Sequence, residues 1–184
     1  MSTASQRRMT VDEFLVWAED QEGKWELYNG VPYLMAPERT RHGERKFAVQ
    51  AALLAGIRRA VLPCYMLPDG ATVRISPTTA HEPDALVYCG PKLPGDAIEV
   101  PNPVIVVEVA SPSTRKIDAS LKLKGYFGLP SVQHFLIIDP EGPPLLHHMR
   151  QADGSIRTTI VEDGILRLEP PGIDITINDI FTTE

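Results

Sequence analysis

Glu108 stands inside the run VIVVEV, residues 104–109, which reads as a central strand buried on both faces. A carboxylate in that setting is costly unless something neutralises it. Asp84 opens the strand-like stretch DALVYCG, and if the two strands are neighbours, as consecutive strands usually are, both carboxylates project from one face of the sheet. Two such groups side by side do not both stay ionised without a counter-charge. The simplest counter-charge is a divalent cation held by oxygen donors, the coordination that Mg²⁺ prefers. For Glu108 the competing reading is a buried ion pair with an Arg or Lys, and for Asp84 a turn position after Pro83.

Asp118, Lys122 and Tyr126 follow at intervals of four and so form one stripe along a helix. A lysine there can stabilise charge developing on a phosphate, and a tyrosine can orient the attacking water. Taken singly they also read as a first-turn acid, a solvated side chain and core packing. Lys124 falls nearly on the opposite side. Glu26, between Trp25 and Leu27 in WELYNG, points away from both if that stretch is a strand. His42, near the start of a long helix, is placed to touch a phosphate or a water. The pair His147 and His148 is rejected as a metal site, because neighbours along a strand face opposite ways.

The elements that must position these groups are legible in outline. Thr10 to Glu13 forms a capping box ahead of a short helix, and Asn29-Gly30 joins two β-rich runs as a hairpin. From about residue 38 to 62, Phe47, Ala51, Leu54, Ile57 and Val61 recur as the apolar stripe of a helix whose other face is basic. A third helix over residues 114–129, with Ile117, Leu121, Gly125 and Gly128 on one side, separates the Glu108 strand from HFLIID. That β, helix, β unit makes the strands around Glu108 and Ile137 parallel, neighbouring or nearly so. The remainder is strand-rich, with turns at Asp153-Gly154, Asp163-Gly164 and Pro170-Pro171.

The chain has 184 residues, 43% of them hydrophobic, enough for one domain over residues 9–184 behind a flexible stretch of residues 1–8. A net charge of −6 argues against nucleic-acid binding by bulk charge, so any such contact must be local; the basic clusters, such as Arg39, Arg41, Arg45 and Lys46, each read first as a solvated helix face or loop. No apolar run is long enough to span a bilayer and no signal peptide is evident, so a cytoplasmic location is expected. Cys64 and Cys89, far apart and without metal-ligand spacing, read as reduced core residues.

WELYNG, the helix with His42, Pro83-Asp84, VVEVASPST, the Asp118, Lys122, Tyr126 stripe and HFLIIDP together resemble the Uma-type restriction endonucleases, within the PD-(D/E)XK nuclease superfamily. The resemblance covers residues 9–182. It implies an α/β (mixed α+β) restriction-endonuclease-like fold, a central mixed β-sheet flanked by helices. It also implies Mg²⁺ or Mn²⁺ held by Asp84, Glu108 and the Val109 carbonyl, with Glu26 as a further acid. The superfamily's usual lysine, two residues after the second acid, is Ala110 here, and Lys122 on the following helix matches it instead. The implied activity is cleavage of DNA phosphodiesters with Asp84, Glu108, Lys122 and Glu26 as catalytic residues and His42, Tyr126 and Asp118 as positioning groups. Cutting both strands of a duplex needs two sites, so a homodimer is expected by analogy. Two alternatives stand beside it: a nuclease fold kept as a binding module without turnover, and a hydrolase for another phosphoester.

Overall fold

The computed structural model describes residues 8–110 and 119–182. The capping box forms as expected: Glu13 N–H donates to Thr10 Oγ1 at 3.2 Å, Thr10 N–H donates to the Glu13 carboxylate at 2.8 Å, and α1 (Val11–Ala18) follows. Asn29 and Gly30 both adopt positive φ, 48° and 80°, the conformation whose twist suits a two-residue hairpin. They close β1 (Trp25–Tyr28) onto β2 (Val31–Leu34). With β5 (Thr79–His81) and β4 (Val73–Ser76) these make a four-stranded antiparallel sheet in the order β2-β1-β5-β4.

A six-stranded mixed sheet carries the core. Its strands are β3 (Cys64–Pro68), β6 (Ala85–Cys89), β7 (Pro103–Val109), β8 (His134–Ile138), β9 (Leu145–Arg150) and β10 (Ile156–Val161), in the order β10-β9-β8-β7-β6-β3. β7 and β8 are parallel neighbours with Glu108 across from Ile137, as the crossover rule requires, and the helix between them is α3 (Ala119–Gly128). One face of the sheet, through Val87, Val107 and Leu136, packs on α2 (Thr40–Ala60), on the hairpin of β11 (Ile165–Leu168) and β12 (Ile173–Thr176), and on α4 (Ile177–Phe181). The other face, through Leu86, Val106 and Phe135, packs on Tyr126 and Leu123 of α3 and on Val73 of β4. The C-terminal stretch expected as a strand thus divides into β12 and α4. Among the described residues no helix is long and apolar enough to cross a membrane.

Three expectations change. First, α2 buries Arg45, Lys46, Val49, Ala52, Leu53, Gly56 and Ile57, while Phe47 is 72% and Val61 87% exposed. Periodicity weighs apolar character only. The buried stripe is chosen by small residues and paired cations: a Cβ on Gly56 would lie 2.4 Å from Ile173 Cγ2, and Arg45 donates to the carbonyls of Ile180 and Pro140. Second, α3 buries Tyr126 completely and leaves Gly128 exposed, so its inner face runs along Lys122, Leu123 and Tyr126 with Gly125 against Ile75 of β4, and Gly128 falls outside it. Third, Cys64 and Cys89 are joined in a disulfide, because β3 and β6 pair in a register that sets them opposite each other, with Cα atoms 3.9 Å apart.

His147 and His148 do face opposite ways. His147 stacks on His134, whereas His148 stacks on Phe135 and bonds Thr158 at 2.8 Å. The Pro170 carbonyl only accepts, so His134 Nε2–H donates to it (2.8 Å), and bare Nδ1 accepts from His147 Nε2–H at 2.9 Å. Burial favours the neutral form of both rings. Burial, and then the neighbouring His134 and His148, lower His147 to about 4; burial also lowers His134, with Glu169 and the Pro170 carbonyl opposing. The unfolded chain takes up these protons near the ordinary value of 6.5. Stability from this cluster is thus full above pH 6.5 and is lost as pH falls towards 4, with a slope of about 1.4 kcal/mol per proton and pH unit. Urea midpoints measured from pH 7 to 4 should show a shallower decline for His147→Gln; an unchanged decline would refute the assignment.

Candidate active site

β6 and β7 are antiparallel, with Ala85 opposite Val107, so one step further in the register sets Asp84 across from Glu108. Alternation along the strands directs both to the α3 face. The expected adjacency of the two carboxylates follows from the sheet. Asp84 Oδ2 is docked on the Val109 N–H at 2.6 Å, which fixes it against the end of the Glu108 strand.

Glu108 is held from α3. Its Oε1 accepts from Lys122 Nζ at 2.8 Å and from the Tyr126 hydroxyl at 2.7 Å, both on α3 one turn apart. The same Lys122 Nζ donates to Glu26 Oε1 on β1 at 2.9 Å, and Glu26 also accepts from the Glu82 N–H at 3.1 Å. Glu26 is 9% exposed, so it faces the site and not solvent. The buried ion pair that the sequence left open for Glu108 is real, but it is shared: one ammonium serves two carboxylates. The electrostatics divide accordingly. Burial pushes Glu108 up to about 7; Lys122 opposes this, and the charges of Asp84 and Glu26 reinforce it. For Glu26 burial is outweighed by Lys122 and His81, which bring it down to about 2. Burial pushes the Tyr126 phenol well up, so it remains a donor.

α2 supplies the second flank. His42 Nε2 donates to the Val109 carbonyl at 2.8 Å and lies 3.8 Å from Asp84 Oδ2, while its Nδ1 stands 3.5 Å from Glu38 Oε2. Ligand atoms of Glu38, His42 and Asp84 all lie within 4.8 Å of one another. Lys46, one turn after His42, donates to Glu38 and Asp69 at 2.7 Å each and reaches Asp84 Oδ1 at 3.1 Å. Gln50, another turn on, donates to the Asp84 carbonyl at 2.8 Å. Lys24 closes the outer side on Asp69. Next to these groups lies a small surface recess, lined in part by Met35 and Glu82.

Glu26, His42, Asp84, Glu108, Lys122 and Tyr126 are therefore brought together. Asp118 lies outside the described residues. Lys124 is exposed, on the far side from Lys122. Lys46, Glu38, Asp69 and His81 were not anticipated. A usable signal existed for two of them: Glu38, His42, Lys46 and Gln50 recur every four residues, the spacing that singled out Lys122 and Tyr126. Asp69 and His81 carry no such mark, since a turn and a short strand deliver them from elsewhere.

The acid excess suits a cation. Six carboxylates (Glu26, Glu38, Asp69, Glu82, Asp84, Glu108) converge on three ammonium groups (Lys24, Lys46, Lys122). A hard divalent cation with oxygen ligands would offset most of the difference.

Known proteins share this fold. A family model described as "Uma2: Putative restriction endonuclease" matches residues 11–178. An uncharacterized protein of Synechocystis, slr1290, is 26% identical over 184 residues, covering 95% of this chain and 92% of the relative. The crystal structure of a putative nuclease of the DUF820 group from Anabaena variabilis superposes with a TM-score of 0.70 at 16% identity, over 94% of this chain and 97% of that one. That likeness extends the fold across nearly the whole molecule.

Proposed function

Because the chain belongs to the Uma2 family of putative restriction endonucleases, we propose that it is a divalent-metal-dependent endonuclease that hydrolyses phosphodiester bonds of DNA. The observation that carries the reading is the shared ammonium of Lys122, which ties acids from β1 and β7 together beside Asp84 at the head of the neighbouring strand. In this reading Asp84, Glu108 and the Val109 carbonyl hold Mg²⁺ or Mn²⁺. Such an ion, when bound, activates water and offsets charge on the phosphate.

The chain's own residues divide the remaining work. Lys122 spends two of its three N–H groups on Glu26 and Glu108, which leaves a third to donate to a phosphate oxygen as charge develops there. Glu26 holds the ammonium in place and keeps it charged. Tyr126 fixes the Glu108 carboxylate in one rotamer through its hydroxyl. His42 orients the Val109 carbonyl, and the Val109 N–H orients Asp84, so three donors are set by one local network. Cleavage of both strands of a duplex calls for two such sites, hence a homodimer as the working assembly.

The test is nicking of supercoiled plasmid by the purified chain in Mg²⁺, Mn²⁺ or EDTA. Nicking with either ion that EDTA abolishes is the expected outcome. No nicking in any condition would favour a nuclease fold retained as a binding module, a reading that the net charge of −6 also suits.

A further inference from the structure

The mechanism above leaves Lys46 without a task, although its side chain is only 6% exposed. A buried ammonium persists only where acceptors satisfy it, and Lys46 has one for each proton: Glu38 Oε1 and Asp69 Oδ2 at 2.7 Å, and Asp84 Oδ1 at 3.1 Å. These acids come from the lead into α2, the turn after β3 and the lead into β6. The ammonium therefore has no N–H left for a substrate, unlike Lys122. Its partner Asp84 is committed at both oxygens, Oδ2 to the Val109 N–H and Oδ1 to Lys46.

From this we propose that Lys46 is a built-in competitor for the divalent cation at Asp84. Its ammonium occupies the carboxylate until metal displaces it, and so sets how tightly metal is held. The inference rests on the metal-site reading given above. Competition and plain electrostatics act in the same direction: removing one positive charge from among three carboxylates strengthens the attraction for any other cation.

Calorimetric titration of Mn²⁺ into the wild-type chain, Lys46→Met, Lys46→Arg and Asp84→Asn tests it. Lys46→Met should bind at least ~tenfold more tightly than wild type, Lys46→Arg should stay close to wild type, and Asp84→Asn should bind weakly. Melting should follow: Lys46→Met unfolds at lower temperature without metal and recovers with Mn²⁺ more than wild type does. If wild type binds and Asp84→Asn does not, yet Lys46→Met binds no more tightly than wild type, competition is overturned and the metal site stands. If no form binds, the metal-site reading fails and takes this inference with it. A probe of the unsubstituted chain covers the case in which Lys46→Met does not fold. Saturating Mg²⁺ should raise the acylation of Lys46 by acetic anhydride, read by mass spectrometry, and unchanged labelling would overturn the proposal.

Discussion

Glu108→Gln should lower plasmid nicking by on the order of 10³-fold while the protein stays folded, since the proposed metal site loses an anionic group whose neighbours Glu26 and Asp84 are already held by Lys122, Lys46 and the Val109 N–H. The substitution keeps the shape of the side chain and its capacity to accept from Tyr126 and Lys122. It also removes a carboxylate that burial already pushes up to about 7, so the native state gives up little by its loss. Melting temperature should therefore change little, or rise. Asp84→Asn should match it in activity, because the amide still accepts from the Val109 N–H but no longer offers a charge. Full activity retained in both variants would remove Asp84 and Glu108 from the catalytic centre.

Lys122→Ala should be the more damaging change overall, because it strikes fold and chemistry together. It strands Glu26 and Glu108 on facing elements with no cation between them, and breaking a buried pair from one side costs about 3–5 kcal/mol. In a chain of this size that lowers the melting temperature by on the order of 10 °C. On the proposed mechanism turnover should fall more than metal affinity, since there the ammonium acts on the phosphate while the metal ligands remain. Removing the charges together separates the two losses: Glu26→Gln with Lys122→Met should regain most of the stability but none of the activity. Lys124→Ala should stay within about 0.5 kcal/mol of wild type and remain active, as expected of an exposed lysine. The reverse ranking of Lys122 and Lys124 would mean that the wrong lysine carries the chemistry.

Several features were legible because they rest on short-range rules. The Thr10 box, the Asn29-Gly30 turn and the parallel pairing of β7 with β8 each follow from a few residues of local sequence or from chain chirality. The Lys122–Tyr126 stripe was legible for the same reason, since helical spacing alone puts both on one face of α3. That Lys122 faces inward and Lys124 outward needed nothing more.

What the sequence by itself determined, then, is which residue types could make a cation site and which two strands would hold its central acids. Periodicity and chirality act over a few residues or one crossover, and those are local quantities. Only the tertiary structure decided which face of α2 turns inward, that Cys64 meets Cys89, and that Lys46 and Asp69 join Asp84. Each of these depends on partners brought from another sheet, turn or helix: Gly56 permits close approach to β12, strand register aligns two cysteines 25 residues apart, and three acids from separate segments make it favourable to bury a lysine. A hydrophobic pattern along one segment carries no record of the charges waiting on the next.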